Sequence, residues 1–145
     1  MAKHFSLSFL ADEMALREAL AQAMRFLKAG GFHEDIRATV ELVLAEAVNN
    51  IIEHAYAGAS DGQVDLRIDV LDGTLSFAIE DEGAPMPGGI APQGQAHDLE
   101  CDLQDLPEGG FGWFLIRELT ENLKFQRQGS RNRLAFTMRP AALPQ

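Results

Sequence analysis

Three short stretches of this chain carry residue types that could do chemistry. In Leu44-Ala45-Glu46-Ala47-Val48-Asn49-Asn50-Ile51-Ile52-Glu53-His54, the polar residues Glu46, Asn50 and His54 recur at every fourth position. On a helix that spacing stacks them on one line. The line borders an apolar stripe of Ile36, Val40, Val43, Ala47 and Ile51. A carboxylate so placed can take a proton from a nucleophile, and a carboxamide can ligate a hard cation. Asp81-Glu82-Gly83 lies where an apolar alternation ends, and Gly109-Gly110-Phe111-Gly112 where helical spacing begins. Glycines ahead of a helix let backbone N–H groups approach an anion, and the helix N-terminus adds a favourable field. A strand-end carboxylate such as Asp81 can accept from an amino group like that of adenine. Each stretch also has an ordinary explanation: the polar face of a helix, or glycines that only shape turns.

Other templates fail. There is no G-x-x-x-x-G-K-[ST] loop and no G-x-S-x-G elbow, and the His-Arg-Asp and Asp-Phe-Gly elements of eukaryotic-type protein kinases are missing. Gly110-Phe111-Gly112 is followed by Leu115 rather than glycine and has no strand before it, so the dinucleotide fingerprint fails too. His4, His33, His54 and His97 have no metal-ligand spacing, and His54 reads as a packing or hydrogen-bonding residue. Cys101 is the single cysteine, which excludes an internal disulfide and a cysteine-rich zinc site.

The elements that must position these residues follow from periodicity. Phe5, Leu7 and Phe9 alternate with polar residues and predict a strand over Lys3–Phe9. Asp12 is a plausible N-cap for a helix to about Lys28, buried through Leu16, Leu20, Met24 and Leu27 and stopped by Gly30-Gly31. A second helix is expected from His33 or Glu34 to before Gly58, carrying the Glu46 line. Val64, Leu66, Ile68 and Val70 mark a strand with one wet face, and Asp72-Gly73 signals a hairpin into Leu75, Phe77 and Ile79. Residues 84–108 show no period: Pro and Gly come first, then Asp98, Glu100, Asp102, Asp105 and Glu108, which suggests a lid. A third helix is expected over Gly112–Glu121, then a hairpin from Leu123 through Gly129-Ser130 to Leu134, Phe136 and Met138. Helices do not alternate with single strands, so the fold class is α+β: a mixed, mostly antiparallel sheet with three helices on one face.

The chain of 145 residues suits one domain, taken as 1–140 with a short tail at 141–145. A formal net charge of −10 disfavours nucleic acid and anionic membranes as partners. It also makes any nucleotide site depend on backbone N–H groups, a helix N-terminus and a metal ion. No signal-peptide pattern or membrane-length apolar run is visible, and a cytoplasmic setting is expected.

Together the three stretches resemble the N-box and the two glycine boxes of the GHKL ATPases, most closely the anti-sigma-factor serine kinases of the SpoIIAB/RsbW type. Glu46 to Asn50 with Ile51 to Tyr56 resembles the N-box, Asp81 to Pro85 the first glycine box, and Gly109 to Arg117 the second; Asn132-Arg133-Leu134 resembles the closing strand. The resemblance implies a two-layer α/β sandwich of the Bergerat type, holding ATP and Mg2+ beneath the 84–108 lid. It implies that Asp81 binds the adenine amino group with Gly83 allowing close approach, that Asn50 coordinates magnesium, and that Gly110 and Gly112 let the helix terminus wrap the phosphates. Glu46 would be the general base toward a protein serine or threonine hydroxyl, or toward water. The implied partners are a sigma factor or similar regulator and a small STAS-like antagonist, and a homodimer is plausible. One departure stands out: from Glu82 to Ile116 there is no Lys or Arg to meet a terminal phosphate. Two rival functions follow, a nucleotide-gated binding module with little phosphotransfer and a detached histidine-kinase catalytic domain.

Overall fold

The computed structural model describes residues 3–57, 61–85 and 110–140. Strand β1 (Lys3–Leu10) leads to helices α1 (Glu13–Ala29) and α2 (Glu34–Asn50), then a π-helical turn, Ile51–Ala55. Strands β2 (Gln63–Leu71) and β3 (Thr74–Asp81) follow, then helix α3 (Gly110–Leu119) and strands β4 (Glu121–Gln128) and β5 (Arg131–Met138). The sheet order is β1-β2-β3-β5-β4.

Every described pairing is antiparallel, so the expected parallel component of the sheet is absent among these strands. The connections explain it. Two helices between β1 and β2 bring the chain back reversed, and the hairpins reverse it again. α3 is a single crossover, which makes β3 and β4 co-directional, but β5 inserts between them.

Local signals act where they were expected. Asp12 caps α1 by accepting from the Ala15 amide at 2.7 Å. The β2–β3 turn places Asp72 and Gly73 at φ 53° and 79°, the left-handed region that an Asp-Gly hairpin uses. The third helix ends earlier than its apolar spacing suggested. The Thr120 hydroxyl takes the Ile116 carbonyl at 2.6 Å, and Glu121 joins β4, where Arg139 grips its carboxylate at 2.6 and 2.8 Å.

The core lies between helices and sheet. Leu16, Ala23 and Leu27 of α1, and Ile36, Val40, Val43, Leu44, Ala47 and Val48 of α2, meet Leu66, Ile68, Phe77, Ile79, Leu134 and Phe136. Phe77 and Phe136 stack with centroids 4.9 Å apart, as cross-strand partners on this face. The opposite sheet face carries an ionic network centred on Arg131, which contacts Glu80, Glu82 and Asp65.

Candidate functional site

Among the described residues, the buried polar side chains are Asn50, Asp81 and Asn132. Buried polar groups need partners, and the pattern of theirs outlines a site at one end of the sandwich.

Helix α2 supplies Glu46 and Asn50. Asn50 Nδ2 donates to the Glu46 carbonyl at 3.0 Å, one turn back, and among the described residues its Oδ1 takes no hydrogen bond. The N-terminus of α3 packs directly on this pair. A Cβ built on Gly112 would lie 2.5 Å from Glu46 Oε2 and 3.9 Å from Asn50 Nδ2. Glycine here permits a close approach between two helices, with Glu46 at the seam. Gly110 opens α3, so the first four amides of that helix, which have no intrahelical acceptor, start at this glycine.

His54 does not extend the line of Glu46 and Asn50. The Tyr56 amide donates to the Ile51 carbonyl at 3.0 Å, the five-residue bond of a π turn, and the wider turn rotates His54 out to solvent beside Glu53. The same turn releases the Ala55 carbonyl, which accepts the Ala84 amide at 2.7 Å. Tyr56 adds a second tie: its hydroxyl donates to the Gln63 carbonyl at 2.6 Å and accepts the Glu82 amide at 2.8 Å. Gly83 fits because any Cβ would strike the Ala55 backbone.

Asp81 ends β3 on the helix-facing side. Its Oδ1 accepts from the Gly83 amide and from Asn132 Nδ2, each at 2.8 Å. Among the described residues Oδ2 takes no hydrogen bond. Asp81 belongs to a register row across all five strands: Phe9, Val64, Asp81, Asn132 and Arg127. Arg127 Nη1 donates to Asn132 Oδ1 at 2.8 Å and to the Gly83 carbonyl at 3.0 Å.

The structure thus gathers Glu46, Asn50 and Gly112 at one end of the site and Asp81 with Gly83 at the other, joined through Ala55. Asn132 and Arg127 were given no role in the sequence. Asn132 had a signal, since it shares the period-two face of Leu134, Phe136 and Met138 and is a polar residue ending a buried stripe. Arg127 had none, because only the β4–β5 register brings it there. Arg117 sits in α3, where burial holds its guanidinium below its ordinary pKa. The 84–108 lid beyond Pro85, and with it Cys101, His97 and Gly109, lies outside the described residues, as does the 141–145 tail.

A helix-covered antiparallel sheet with a polar site between the helices and the end of the sheet is the class of α+β domain that the fold defines. The profile of the histidine kinase-like ATPase domain matches residues 9–138, and the chain belongs to that family. It is 30% identical over 130 residues to the serine/threonine-protein kinase BtrW of Bordetella bronchiseptica, spanning 90% of this chain and 81% of that protein. It is 27% identical over 104 residues to the serine-protein kinase RsbW of Bacillus licheniformis, spanning 68% of this chain and 62% of that protein. With RsbW of Staphylococcus epidermidis the identity is 29% over 106 residues, spanning 71% and 65%. The chain therefore spans just under two thirds of the length of these two RsbW relatives. In fold it is similar to part of a crystal structure of the RsbU and RsbW domains of a Mycobacterium tuberculosis protein, with a TM-score of 0.65 at 18% identity, covering 94% of this chain and 32% of that one.

Proposed function

We propose that the chain is an ATP-dependent serine/threonine protein kinase that acts as an anti-sigma factor and phosphorylates a small STAS-like antagonist. The observation that carries this is the convergence of the buried polar residues on one site, with Gly112 closing the start of α3 onto Glu46. The relatives, a serine-protein kinase and a serine/threonine-protein kinase, support the choice of acceptor.

Asp81 Oδ2 accepts from the adenine amino group, and Gly83 keeps the strand end close to Ala55. Asn50 Oδ1 is the protein ligand for magnesium. Among the described residues no group of three or more His, Cys, Asp or Glu is arranged to hold a metal ion, and an ion at Asn50 would depend on phosphate and water oxygens as well. When bound, magnesium neutralises phosphate charge as the terminal phosphoryl group moves. The amides that begin with Gly110 and Gly112 hold the phosphates. Glu46 takes the proton from the acceptor hydroxyl as its oxygen bonds to the γ-phosphorus. The bond to the β–γ bridging oxygen breaks, and ADP leaves.

Residues 1–140 act as one domain, with 84–108 as its lid and 141–145 as a tail. The proposed setting is the cytoplasm, where a single cysteine stays reduced; among the described residues no helix is long and apolar enough to cross a membrane. The proposed partners are a sigma factor or similar regulator and the antagonist, and a homodimer is compatible with this role. The second possibility, a nucleotide-gated binding module, is favoured by one observation. No Lys or Arg lies between Glu82 and Ile116, and Arg127 is already engaged by Gly83 and Asn132.

Calorimetric titration with a non-hydrolysable ATP analogue, with and without magnesium, tests the site. Magnesium-dependent binding is expected, and no binding under either condition overturns the proposal. Transfer from ATP to a STAS-like protein then separates kinase from binding module.

A further inference from the structure

We infer that Arg127 is a positioning residue that sets nucleobase selectivity, acting through Asn132 on Asp81. The inference rests on the nucleotide site proposed above and assigns it a residue on a neighbouring hairpin.

The chemistry of the donors decides it. An arginine can only donate, so the side-chain atom of Asn132 that meets Arg127 Nη1 at 2.8 Å must be its carbonyl oxygen. That orientation turns Nδ2 toward three acceptors: Asp81 Oδ1 at 2.8 Å, the Ala84 carbonyl at 3.0 Å and the Gly83 carbonyl at 3.3 Å. With the Gly83 amide also on Oδ1, both inner bonds of Asp81 fall on one oxygen. The carboxylate plane is therefore held, and Oδ2 is presented as an acceptor. A 6-amino purine donates to such an oxygen. A 6-oxo purine offers another acceptor and is repelled.

Without Arg127, Asn132 Oδ1 loses its donor, and the amide is held only through the three acceptors on Nδ2. The asparagine and the Asp81 carboxylate bonded to it then gain freedom to rotate, and Oδ2 is presented less firmly. The effect falls on ligands that use Oδ2. Asn132 is buried, whereas Arg127 lies at the exposed end of the row, so the arginine can be changed without opening the core.

The test is the affinity of wild type, Arg127→Ala and Arg127→Lys for ATP and ITP, each with magnesium, by calorimetry. Wild type should favour ATP. Arg127→Ala should weaken ATP by about tenfold, the scale of a hydrogen bond to a charged group, and leave ITP nearly unchanged, so that the ratio narrows. Arg127→Lys, which keeps a donor for Asn132 Oδ1, should hold the ratio closer to wild type. Equal losses for ATP and ITP would mean a merely structural part and would overturn the inference, as would an unchanged ratio. The side-chain amide resonances of Asn132, observed without nucleotide, provide a reading independent of binding. They should shift in Arg127→Ala, and an unmoved pair would also overturn the assignment. If wild type binds neither nucleotide, the proposed function itself falls, and with it this inference.

Discussion

Glu46 and Asn50 are neighbours on α2 with different tasks, and substitution should separate them. Among the described residues the Glu46 carboxylate takes no hydrogen bond or ion pair, and the Gly112 backbone leaves it at the seam between α2 and α3. Truncating it should therefore cost little in binding. Glu46→Ala is expected to lower phosphotransfer by about 100-fold or more, the usual range for a lost general base, with analogue affinity within about twofold of wild type. Transfer at the wild-type rate would remove Glu46 from the chemistry. Asn50 has the reverse profile. Its Nδ2 closes a helix turn and its Oδ1 is the proposed magnesium ligand, so Asn50→Ala should weaken binding in the presence of magnesium and change it little in its absence. Equal affinities of mutant and wild type with magnesium would exclude Asn50 as a metal ligand.

At the scale of elements, the join between α2 and the end of β3 matters most. The π turn exposes the Ala55 carbonyl to the Ala84 amide, and Tyr56 stitches the Gln63 carbonyl to the Glu82 amide. π turns inside helices often occur at functional sites; here the turn reaches the strand that carries Asp81. Tyr56→Phe removes the bridging hydroxyl and keeps the ring. It should cost about 1–2 kcal/mol of stability by denaturant midpoint, the scale of one or two hydrogen bonds. It should also weaken adenine-nucleotide binding, because the first glycine box loses one of its two ties to the helix. Stability reduced with affinity untouched would show that the Ala55–Ala84 bond alone positions the box.

Over the whole molecule, the sheet separates two electrostatic regimes. Its helix-facing side ends in the Asp81 row, and its other side carries the Arg131 network. Asp65 in that network is pushed both ways: burial raises its pKa, while hydrogen bonds from Ser8, Arg131 and Gln63 and the Arg131 charge lower it, and the balance lies below the ordinary value. A carboxylate with a depressed folded pKa binds fewer protons when folded than unfolded. Its stabilisation is complete above the unfolded value, about 3.9, and is lost as pH falls through the folded value. Wild type should lose denaturant stability on acidification below about pH 4. Arg131→Met should lose less over the same interval, because less of the depression remains to be undone. Parallel acid limbs for the two proteins would show that the network does not supply this part of the pH dependence. Solvent screening keeps the effect small, since both partners are more than a third exposed or close to it.

The helices, the hairpins and the three chemistry-bearing stretches were legible in the sequence because each depends on neighbours within a few residues. Asp12 caps a turn three residues away, Asp72-Gly73 sets its own turn, and Glu46 and Asn50 share a line through helical pitch alone. Tertiary structure decided the rest. The π turn that removes His54 from that line, the Thr120 stop, the wholly antiparallel pairing and the contact of Gly112 with Glu46 depend on how distant elements pack. The Asp81–Asn132 bond spans 51 positions, and Arg127 reaches it only through the register of one hairpin. Local signals act through the backbone geometry of a few residues. A site assembled from strands and helices far apart in sequence is set by which rows align, and that follows from burying the apolar faces together.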